Sequence, residues 1–569
     1  MQINFFNAET ITRLTSLTND TNSIADRILD HDVKIFPKLD SVQVKDLNQL
    51  WEMPFPKSPS TYSLYVYALY PVSYLLNAYE GTRRAHYLER ALALANSFLE
   101  WESSNKKNIS AKRNNILIGD HAVSNRTQCL CYLTVCLIHA RRSVPQAIQD
   151  ALLRNGHYLA DNKCYSHYNH GLMMDLALLG LVNTLEGVGI PHPQHFKKHL
   201  LLRLRHSISR DLTKDGVHVE NSPGYHFWML GFLGRILKPL SALDPPIYLK
   251  ALEAHESASV YANYITRPDG TVPPIGDTHA GASYRPSKGL DTRLFRDANQ
   301  VVFRNSDDSV WAHFGCGYKT HVHKHCDNGS FTLHLQGQDL LVDPGFLNYE
   351  NTSAAKAIKS TRFHNTAAPL GMEQAIETID VSANGHLIEY NENLSASRIL
   401  SFYQDVSFEY AVAKIADYGG TVIGRVLLWV KSAGFFIYDR CVSSKDTEIE
   451  QFFNIAGDLH FLISDSKVWI YKGRRCVFKI APLLVDFSLP PVLTTEQSFF
   501  AAQFGTTRSI ERCVVRGSGR GCLTQIDLGF GNSVSVFGTK IAFAQGNSGN
   551  RVVVDLDRIL IESLEADRD

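Results

Sequence analysis

The chain has 569 residues, and its 57 Lys and Arg balance 57 Asp and Glu, so the formal net charge is zero. General nucleic-acid binders depend on an excess of Lys and Arg, so this balance argues against nucleic acid as a partner. Charged residues make up 20% and apolar residues 44% of the chain, which is typical of globular proteins and not of disordered ones. This length predicts at least two domains.

Membrane insertion and secretion are not predicted by the sequence. No uninterrupted apolar run approaches the ~18 residues that cross a bilayer. The best candidate, residues 172–182, is interrupted by Asp175. The N-terminus lacks the basic start and apolar stretch of a secretory signal. We therefore expect no membrane span and a cytoplasmic location, or a periplasmic or secreted one if the chain was trimmed.

The first half of the chain has helical periodicity. Between His86 and Trp101, apolar residues recur every three or four positions. Before a later run, Ser222 is a suitable N-cap and Pro223 suits the first helical position. Other such runs lie at 63–76, 127–140, 172–185 and 225–237. Many helices joined by polar turns predict an (α/α) toroid over residues 1–295.

From about residue 300 the pattern changes to strands. Residues 330–345 alternate along two arms around Gly337, which predicts a hairpin. Residues 421–430 and 434–442 are further strands with a short turn between them. Strand and turn patterns continue to the C-terminus, so residues 296–569 are predicted to form an antiparallel β-sandwich. The predicted fold class is α+β multidomain, with the toroid first and the sandwich second.

Three histidines stand close together in the segment HVHKHCDNGSF. His321, His323 and His325 are two residues apart, so on a strand they would share one face. Three neighbouring buried imidazoles need partners for every ring nitrogen, which favours a metal ion, a catalytic base or both. Asp343 and His364 downstream complete a His/Asp/His set that suits Zn²⁺. The alternative is a solvated, histidine-rich strand edge.

A tyrosine opens the helix that is predicted to start after Ser222. Tyr225 would lie in the first turn, near free backbone N–H groups and the positive end of the helix dipole. This environment stabilises a phenolate relative to a phenol, and a tyrosine placed there can give and take protons. The alternative is an aromatic ring packed into a helix seam.

Two other polar stretches precede apolar helices. Asn169 and His170 are either a helix cap with a satisfied neighbour or donors to a bound anion. His121 and Arg126 begin another helix, where Arg126 could bind a carboxylate through two hydrogen bonds or simply lie on the surface. Trp51 could stack on a sugar, with packing inside the helical region as the alternative.

Together these stretches resemble the heparinase II/III superfamily of polysaccharide lyases. The β-domain blocks of that family are matched by HKHCDNGSF at 323–331, LLVDPG at 340–345 and RFHNT at 362–366. Its helical-domain blocks are resembled by NH at 169–170, NSPGYH at 221–226, PDG…IGD at 268–277 and, more loosely, DHAVSNR at 120–126. The resemblance runs from about residue 50 to 460 and implies a toroid followed by antiparallel sheets.

The resemblance also implies β-elimination at a uronic acid, in which the C5 proton is removed and the C4 oxygen is expelled. Asn169 matches the position that neutralises the substrate carboxylate, with His170 beside it. Tyr225 and His323 match the acid and base positions. We expect Tyr225 as the acid, and as acid and base for one C5 epimer, with His323 as the base for the other.

The expected ligands follow from the same resemblance. A largely structural Zn²⁺ would be held by His325, Asp343 and His364, and it would orient His323 two residues away. No organic cofactor is expected, and the expected partner is an acidic polysaccharide or oligosaccharide. The candidate substrate-binding residues are Arg126, His121, Glu220, His226, Arg362 and Trp51.

Two other functions are compatible with the sequence. A glycoside hydrolase on a similar toroid needs two carboxylates astride the cleaved bond, for which Glu220 and Asp277 are the only pair we would nominate. A non-catalytic polysaccharide-binding protein of a surface-glycan pathway would bind without turnover. The product discriminates between them, because only a lyase yields an unsaturated uronate that absorbs in the near ultraviolet.

Overall fold

In a computed structural model, two compact units account for the chain. The first contains residues up to Arg210 together with Gly231–Ala254, and the second contains Asp211–Leu230 and most of the chain from His255 onward. The structure describes residues 14–15, 18–36, 40–53, 59–105, 115–166, 168–279, 281–348, 352–376, 395–443, 447–485, 490–503, 505–530, 534–545 and 550–567.

Helices dominate the described residues before Ile265. Two short 3₁₀ helices, Leu47–Trp51 and Thr361–Phe363, accompany the α-helices. The α-helices are Thr21–Leu29, Pro59–Tyr67, Tyr70–Thr82, Ala85–Asn105, Asp120–His139, Gln146–Ala160, Tyr168–Val188, Gln194–Arg210, Pro223–Leu243, Pro245–Ile265, Ser353–Ile358 and Leu556–Ala566.

The apolar periodicity of the sequence forms the buried faces of these helices. In Ala85–Asn105, one stripe that includes Leu88, Ala91 and Phe98 is buried, as predicted. The predicted run 63–76 is instead two helices, because Leu69 adopts a left-handed φ of 63° and ends the first helix before Tyr70 begins the second.

One helix within the described residues, Asn169–Val188, is long and apolar enough by composition to cross a membrane. However, 72% of its most apolar window is buried inside the protein. Within it, the Asp175 carboxylate lies 2.9 Å from the Arg203 guanidinium, and both side chains are buried. A core helix passes the same test of length and composition, so the helix is weak evidence for a membrane span.

Strands make up most of the described residues after Arg293, and two short strands lie before it. They are β1 (Asp32–Val33), β2 (Val42–Gln43), β3 (Arg293–Phe295), β4 (Gln300–Arg304), β5 (Val310–Gly315), β6 (Ser330–Leu335), β7 (Gln338–Leu341), β8 (Ala367–Pro369), β9 (Arg398–Gln404), β10 (Phe408–Tyr418), β11 (Thr421–Val430), β12 (Gly434–Cys441), β13 (Glu448–Asn454), β14 (His460–Ser464), β15 (Lys467–Lys472), β16 (Arg475–Leu483), β17 (Val492–Gln503), β18 (Thr506–Ser518), β19 (Cys522–Asp527), β20 (Ser535–Phe537), β21 (Lys540–Gln545) and β22 (Asn550–Asp555).

The paired strands among the described residues are antiparallel. Three sheets carry most of them, in the orders β3-β4-β5-β6-β7, β17-β18-β13-β8 and β14-β15-β16-β19-β12-β11-β10-β9. Smaller sheets are β1-β2 and β20-β21-β22. The predicted hairpin around Gly337 is β6–β7, and the predicted neighbouring strands at 421–430 and 434–442 are β11–β12, so both predictions are confirmed.

The large sheets share one apolar core. Phe303 and Phe331 of the five-stranded sheet, Trp429 and Phe435 of the eight-stranded sheet and Phe452 of the four-stranded sheet all belong to it. The rings of Trp429 and Phe435 stack with centroids 5.5 Å apart. Burial of these aromatic rings between antiparallel sheets stabilises this part of the fold.

The eight-stranded sheet is also buried on its other face. Leu428 and Phe436 point to that side, where they pack with Phe543 of β21 and Leu560 of the helix Leu556–Ala566. Central strands that are buried on both faces have continuous apolar sequences. Residues 426–430 of β11, VLLWV, have this pattern.

The order of elements confirms helices first and antiparallel sheets second. The last long helix before the sheets ends at Ile265, and β3 begins at Arg293. The compact units divide the chain differently, since Asp211–Leu230 belongs to the unit that contains the sheets. The domain boundary between residues 295 and 296 stays a prediction.

The end of the helix Tyr70–Thr82 generates a stability prediction. Arg83 follows the helix with a left-handed φ of 59°, a conformation that glycine adopts without strain. Arg83→Gly is expected to stabilise the protein by about 0.5–1 kcal/mol in urea unfolding. The matched control is Arg84→Gly, because Arg84 has no positive φ. A gain of equal size in the control would contradict the prediction.

Candidate functional site

The turn before the helix Pro223–Leu243 connects three segments of the second unit. Asn221 has a left-handed φ of 55°, and its side-chain amide donates to two backbone carbonyl oxygens of the histidine segment at 2.7 and 2.9 Å. Ser222 precedes the first helical residue, as predicted, and its hydroxyl lies 2.9 Å from the Thr278 hydroxyl. The helix start is therefore held against the loop that carries Asp277.

The histidine segment is a loop and not the predicted strand. β5 ends at Gly315 and β6 begins at Ser330, so the histidines lie between the strands. His323 has a φ of 55°, which is incompatible with a pleated strand, and the amide of Asn221 holds the backbone beside it. The expectation that the histidines share a strand face is therefore corrected.

Asp277 brings two of these histidines together. Its Oδ2 lies 2.7 Å from His323 Nδ1, and its Oδ1 lies 2.8 Å from His325 Nε2. Lys359 Nζ lies 3.3 Å from the same Oδ1. Burial opposes ionisation of Asp277, but the two histidine hydrogen bonds and the positive charges outweigh it and lower the pKa of this carboxyl. Asp277 is thus an anion that orients both rings.

A second buried carboxylate faces the other side of His323. Glu220 Oε2 lies 3.4 Å from His323 Nε2, and Glu220 Oε1 lies 3.4 Å from His218 Nε2. Burial disfavours the imidazolium, but hydrogen bonds to Asp277 and Glu220 and the charges of both outweigh it and raise the pKa of His323 to about 9. His323 is therefore held between two anions.

The ring of Tyr225 stacks on the ring of His323. The ring centroids are 3.9 Å apart and the planes differ by 14°. Tyr225 lies in the first turn of the helix Pro223–Leu243, so the helix start places the phenol beside the imidazole. The two residues lie together, as the elimination hypothesis requires, and their catalytic roles stay predictions.

His325, Asp343 and His364 form a buried cluster that could hold a metal ion. One ligand atom from each residue can be chosen so that all three lie within 4.8 Å of one another. His364 Nδ1 lies 2.9 Å from Asp343 Oδ2. The cluster joins the histidine loop, the segment after β7 and the residue that follows the short helix Thr361–Phe363, which are separate along the chain.

Two atoms of this cluster indicate a ligand. Among the residues that the structure describes, the buried atoms His325 Nδ1 and His364 Nε2 have no hydrogen-bond partner. Buried polar atoms are nearly always paired, so these two nitrogens suit coordination of a metal ion. The Asp277 contact to His325 Nε2 leaves Nδ1 as the coordinating atom, which is the usual carboxylate–histidine arrangement around bound metals. The residues therefore fit a metal ion.

His170 belongs to a polar cluster of the first unit, and Asn169 directly precedes it in the helix Tyr168–Val188. His170 Nδ1 lies 3.0 Å from Asp120 Oδ2, and the Ser166 hydroxyl donates to the same oxygen at 2.5 Å. The backbone N–H of His121 donates to Asp120 at 2.6 Å. The imidazole of His121 packs against that of His170 with a centroid separation of 6.0 Å. Asp120 therefore organises this cluster.

Asp120 was missed as a candidate in the sequence analysis. Its signal was its position at the start of an apolar helix, beside His121 in the DHAVSNR block. Burial opposes its ionisation, but the hydrogen bond and charge of His170 outweigh burial and lower the pKa of Asp120. Burial also lowers the pKa of His121 to about 4.

Three of the residues predicted to bind substrate are buried and have partners inside the protein. The buried Arg126 guanidinium donates to two backbone carbonyl oxygens at 3.0 and 3.2 Å. The indole N–H of Trp51, which is 1% exposed, donates to a serine hydroxyl at 3.0 Å. The buried His226 has one ring nitrogen 2.9 Å from a carbonyl oxygen of the neighbouring helix. Because their polar atoms have partners inside the protein, direct contact with substrate is disfavoured for these three residues, and their predicted roles stay predictions.

Two further candidates have protein partners. Arg362 contacts Glu450 at 3.2 Å and Glu496 at 3.0 Å, and 38% of its side chain is exposed. Glu220 is completely buried and faces two histidines rather than solvent. Glu220 therefore reaches the site through His323, whereas Arg362 pairs with two glutamates of β13 and β17.

A family model matches the C-terminal part of the chain. Residues 287–541 match the model described as Heparinase II/III-like, C-terminal. Residues 287–541 are a heparinase II/III-like domain. The resemblance inferred from the sequence blocks at 323–366 is thereby confirmed. No curated protein gives a significant match to the chain.

Solved structures of other proteins share the fold of the whole chain. A mutant of heparan sulfate lyase HepC from Pedobacter heparinus has a TM-score of 0.69 at 14% identity, covering 97% of this chain and 92% of that chain. A crystal structure of heparinase III has a TM-score of 0.67 at 14% identity, covering 97% and 94%. The predicted toroid followed by a β-sandwich is confirmed by this likeness.

The candidate metal cluster of the heparinase II/III-like domain generates a prediction. His325→Ala is expected to abolish bound metal and to lower stability by roughly 3 kcal/mol, the contribution of a ligand at about a hundred times its Kd. His323→Ala should keep the metal, because its ring faces Asp277 and Glu220 instead of the cluster. Metal analysis and thermal unfolding measure both effects.

A buried histidine outside the cluster supplies the control for that experiment. His334 is buried on β6 and bonded to Asp339, so His334→Ala should keep the metal whatever its effect on stability. Equal metal content in wild type and His325→Ala would refute the ligand assignment.

The cluster around Asp120 generates a pH-dependent prediction. The pKa of Asp120 is lower in the folded state than in the unfolded state, where it is about 4. The ionised Asp120 therefore stabilises the fold above about pH 4, and this stabilisation is lost as the pH falls toward the pKa of the folded state. Asp120→Asn should cost about 1–3 kcal/mol at pH 7 and clearly less at pH 3. Urea unfolding at both values measures this, with the exposed Asp161→Asn as control. An equal loss at both pH values would contradict it.

Proposed function

We propose that the protein is a polysaccharide lyase that cleaves a uronic-acid-containing polysaccharide by β-elimination. The observation that carries this proposal is the stack of Tyr225 on His323, with His323 held between Asp277 and Glu220. The heparinase II/III-like domain supports it, as does the fold shared with a heparan sulfate lyase and heparinase III.

The chemistry of elimination explains which groups are needed. A base removes the C5 proton of the uronate, the C4–O bond breaks, and a C4=C5 double bond forms as the leaving oxygen takes a proton. The C5 proton is weakly acidic while the neighbouring carboxylate is charged, so that carboxylate must be neutralised or hydrogen-bonded. One group must therefore bind the carboxylate, and others must move protons at C5 and at the C4 oxygen.

Tyr225 is the proposed proton donor to the leaving oxygen, and acid and base for one C5 epimer. Its ring is fixed from two directions, by the first helical turn and by the parallel face of His323. Fixing the ring limits where its hydroxyl can lie, and small displacements of a catalytic group are costly in rate.

His323 is the proposed base for the other epimer. Both of its ring nitrogens face carboxylates, at 2.7 Å to Asp277 and 3.4 Å to Glu220. The Asp277 contact orients the ring through Nδ1, so Nε2 would take the proton from the neutral form of His323, which loss of the Glu220 contact on substrate binding would favour by lowering the pKa. Because the Glu220 contact is the longer one, it is the contact that substrate would replace.

Asn169 and His170 are the proposed partners of the substrate carboxylate. A side-chain amide and an imidazole can both donate hydrogen bonds to carboxylate oxygens. Asp120 fixes the ring of His170 through Nδ1, and Ser166 fixes Asp120 in turn. The proposed role of Asp120 is therefore to position His170.

The metal ion proposed for the buried cluster is Zn²⁺. Two imidazoles and one carboxylate, from His325, His364 and Asp343, are ligands that zinc commonly takes in proteins. When bound, the ion would supply cross-linking of three chain segments and no step of the reaction. His325 shares Asp277 with His323, so its coordination would also restrict the position of His323.

The hydrolase alternative is disfavoured by the electrostatics of the site. A glycoside hydrolase needs one carboxyl group that keeps its proton near neutral pH. Histidine partners outweigh burial at Glu220 and Asp277 and lower the pKa of both. The two carboxylates also face opposite ring nitrogens of His323, so an imidazole lies between them where a hydrolase would need the glycosidic bond.

The proposal predicts unsaturated products and their dependence on Tyr225. Wild-type protein incubated with heparan sulfate, chondroitin sulfate, hyaluronan and alginate should generate near-ultraviolet absorbance from at least one of them. Tyr225→Phe removes the hydroxyl that transfers the proton, so kcat should fall about 10²–10⁴-fold while substrate binding is retained.

Tyr284→Phe is the matched control. Tyr284 packs against Phe227, which lies two residues after Tyr225 in the same helix, and Tyr284 has no proposed catalytic role. Binding of a polymer without products, and with no effect of Tyr225→Phe, would favour the non-catalytic binding protein. Product release without the absorbance of an unsaturated uronate would favour the hydrolase.

A further inference from the structure

A cavity in the heparinase II/III-like domain shares no residue with the site described above. Its volume is about 540 Å³, within the range of small-molecule and oligosaccharide sites. The β6–β7 turn, the β15–β16 hairpin and the end of β19 form its walls. Its lining includes Gln338, Trp469, Lys472, Arg475, Lys479 and Phe530.

Positive charge is concentrated at this cavity. Lys472, Arg475 and Lys479 line it, and Asp527 is the one acidic residue in its described lining. Lys479 Nζ lies 3.4 Å from Asp527, so Lys472 and Arg475 are the cations of the lining that this aspartate does not balance. Lys472 is 59% exposed and lies 3.6 Å from Asp458, a weak ion pair at the surface. In a chain of zero net charge, this is a local basic patch.

Apolar rings accompany the positive charge. Phe530 is 37% exposed at the end of β19. Lys479 Nζ lies 4.3 Å from the centroid of the Trp469 ring, so the aliphatic stem and charge of this lysine are held over the indole. Aromatic faces pack against the C–H faces of sugar rings, while Arg and Lys bind their acidic groups. A cavity with both features suits an anionic sugar better than a free inorganic ion.

We propose that this cavity binds a short anionic segment of a polysaccharide through Lys472 and Arg475, with Phe530 against a sugar ring. The choice of ligand rests on the proposed function, since an acidic polymer is its substrate. The Arg475 guanidinium can hold a carboxylate or sulfate group through two parallel hydrogen bonds, and Lys472 adds a second charge. The cavity would hold the polymer without taking part in its cleavage.

The test uses full-length Tyr225→Phe protein, so that the probe is not consumed. Three tetrasaccharides are titrated by calorimetry: one of heparan sulfate, one of polygalacturonate, which carries carboxylates only, and uncharged maltotetraose. The double variant Lys472→Ala/Arg475→Ala is expected to lose one class of binding site for a charged probe, or to bind there roughly ten-fold more weakly. The two charged probes distinguish sulfate from carboxylate recognition.

The matched control is Arg551→Ala, an exposed arginine on β22 that does not line the cavity. Unchanged binding of both charged probes in the double variant would overturn the proposal, as would equally tight binding of maltotetraose. A wild-type assay for unsaturated products separates the two proposals. Products with unchanged binding in the double variant would refute the cavity alone, whereas lost binding without products would refute the lyase alone.

Discussion

The carboxylate of Asp277 is the contact on which the site depends. One of its oxygens holds His323, whose ring lies against Tyr225, and the other holds His325, which belongs to the candidate metal cluster. Buried and flanked by two imidazoles and Lys359, Asp277 stays ionised, so it can orient both rings at once. The proposed chemistry and the proposed metal therefore share a single anchor.

This arrangement joins segments that are distant in the chain. The tyrosine comes from a helix start, Asp277 from a loop after the last long helix, and the histidines from a loop between β5 and β6. Asn221 connects the first and third of these through its two hydrogen bonds to backbone carbonyl oxygens. The geometry of the site thus depends on the folding of the whole second unit, while Asp120 organises its own cluster in the first.

Patterns with a fixed period were predictable from the sequence, and contacts without one were not. Helical stripes and the β6–β7 hairpin follow directly from apolar spacing. The spacing of the histidines also suggested a strand, but the structure has a hydrogen-bonded turn there, with a positive φ at His323. Arg126 and Trp51 have side chains that suit a sugar, and only tertiary packing reveals that their polar atoms are used inside the protein. Asp120 could be recognised as a site residue only from its contacts with His170, Ser166 and His121.

The strand order of the eight-stranded sheet has a consequence for synthesis of the protein. β12 lies between β11, its neighbour in sequence, and β19, which is made much later. During translation, the edge of β12 that pairs with β19 therefore stays unpaired until the many residues between the two strands have left the ribosome. Non-local pairing of this kind slows folding and leaves apolar edges exposed to other chains. Nascent chains of this protein should consequently depend on chaperones until β19 has emerged.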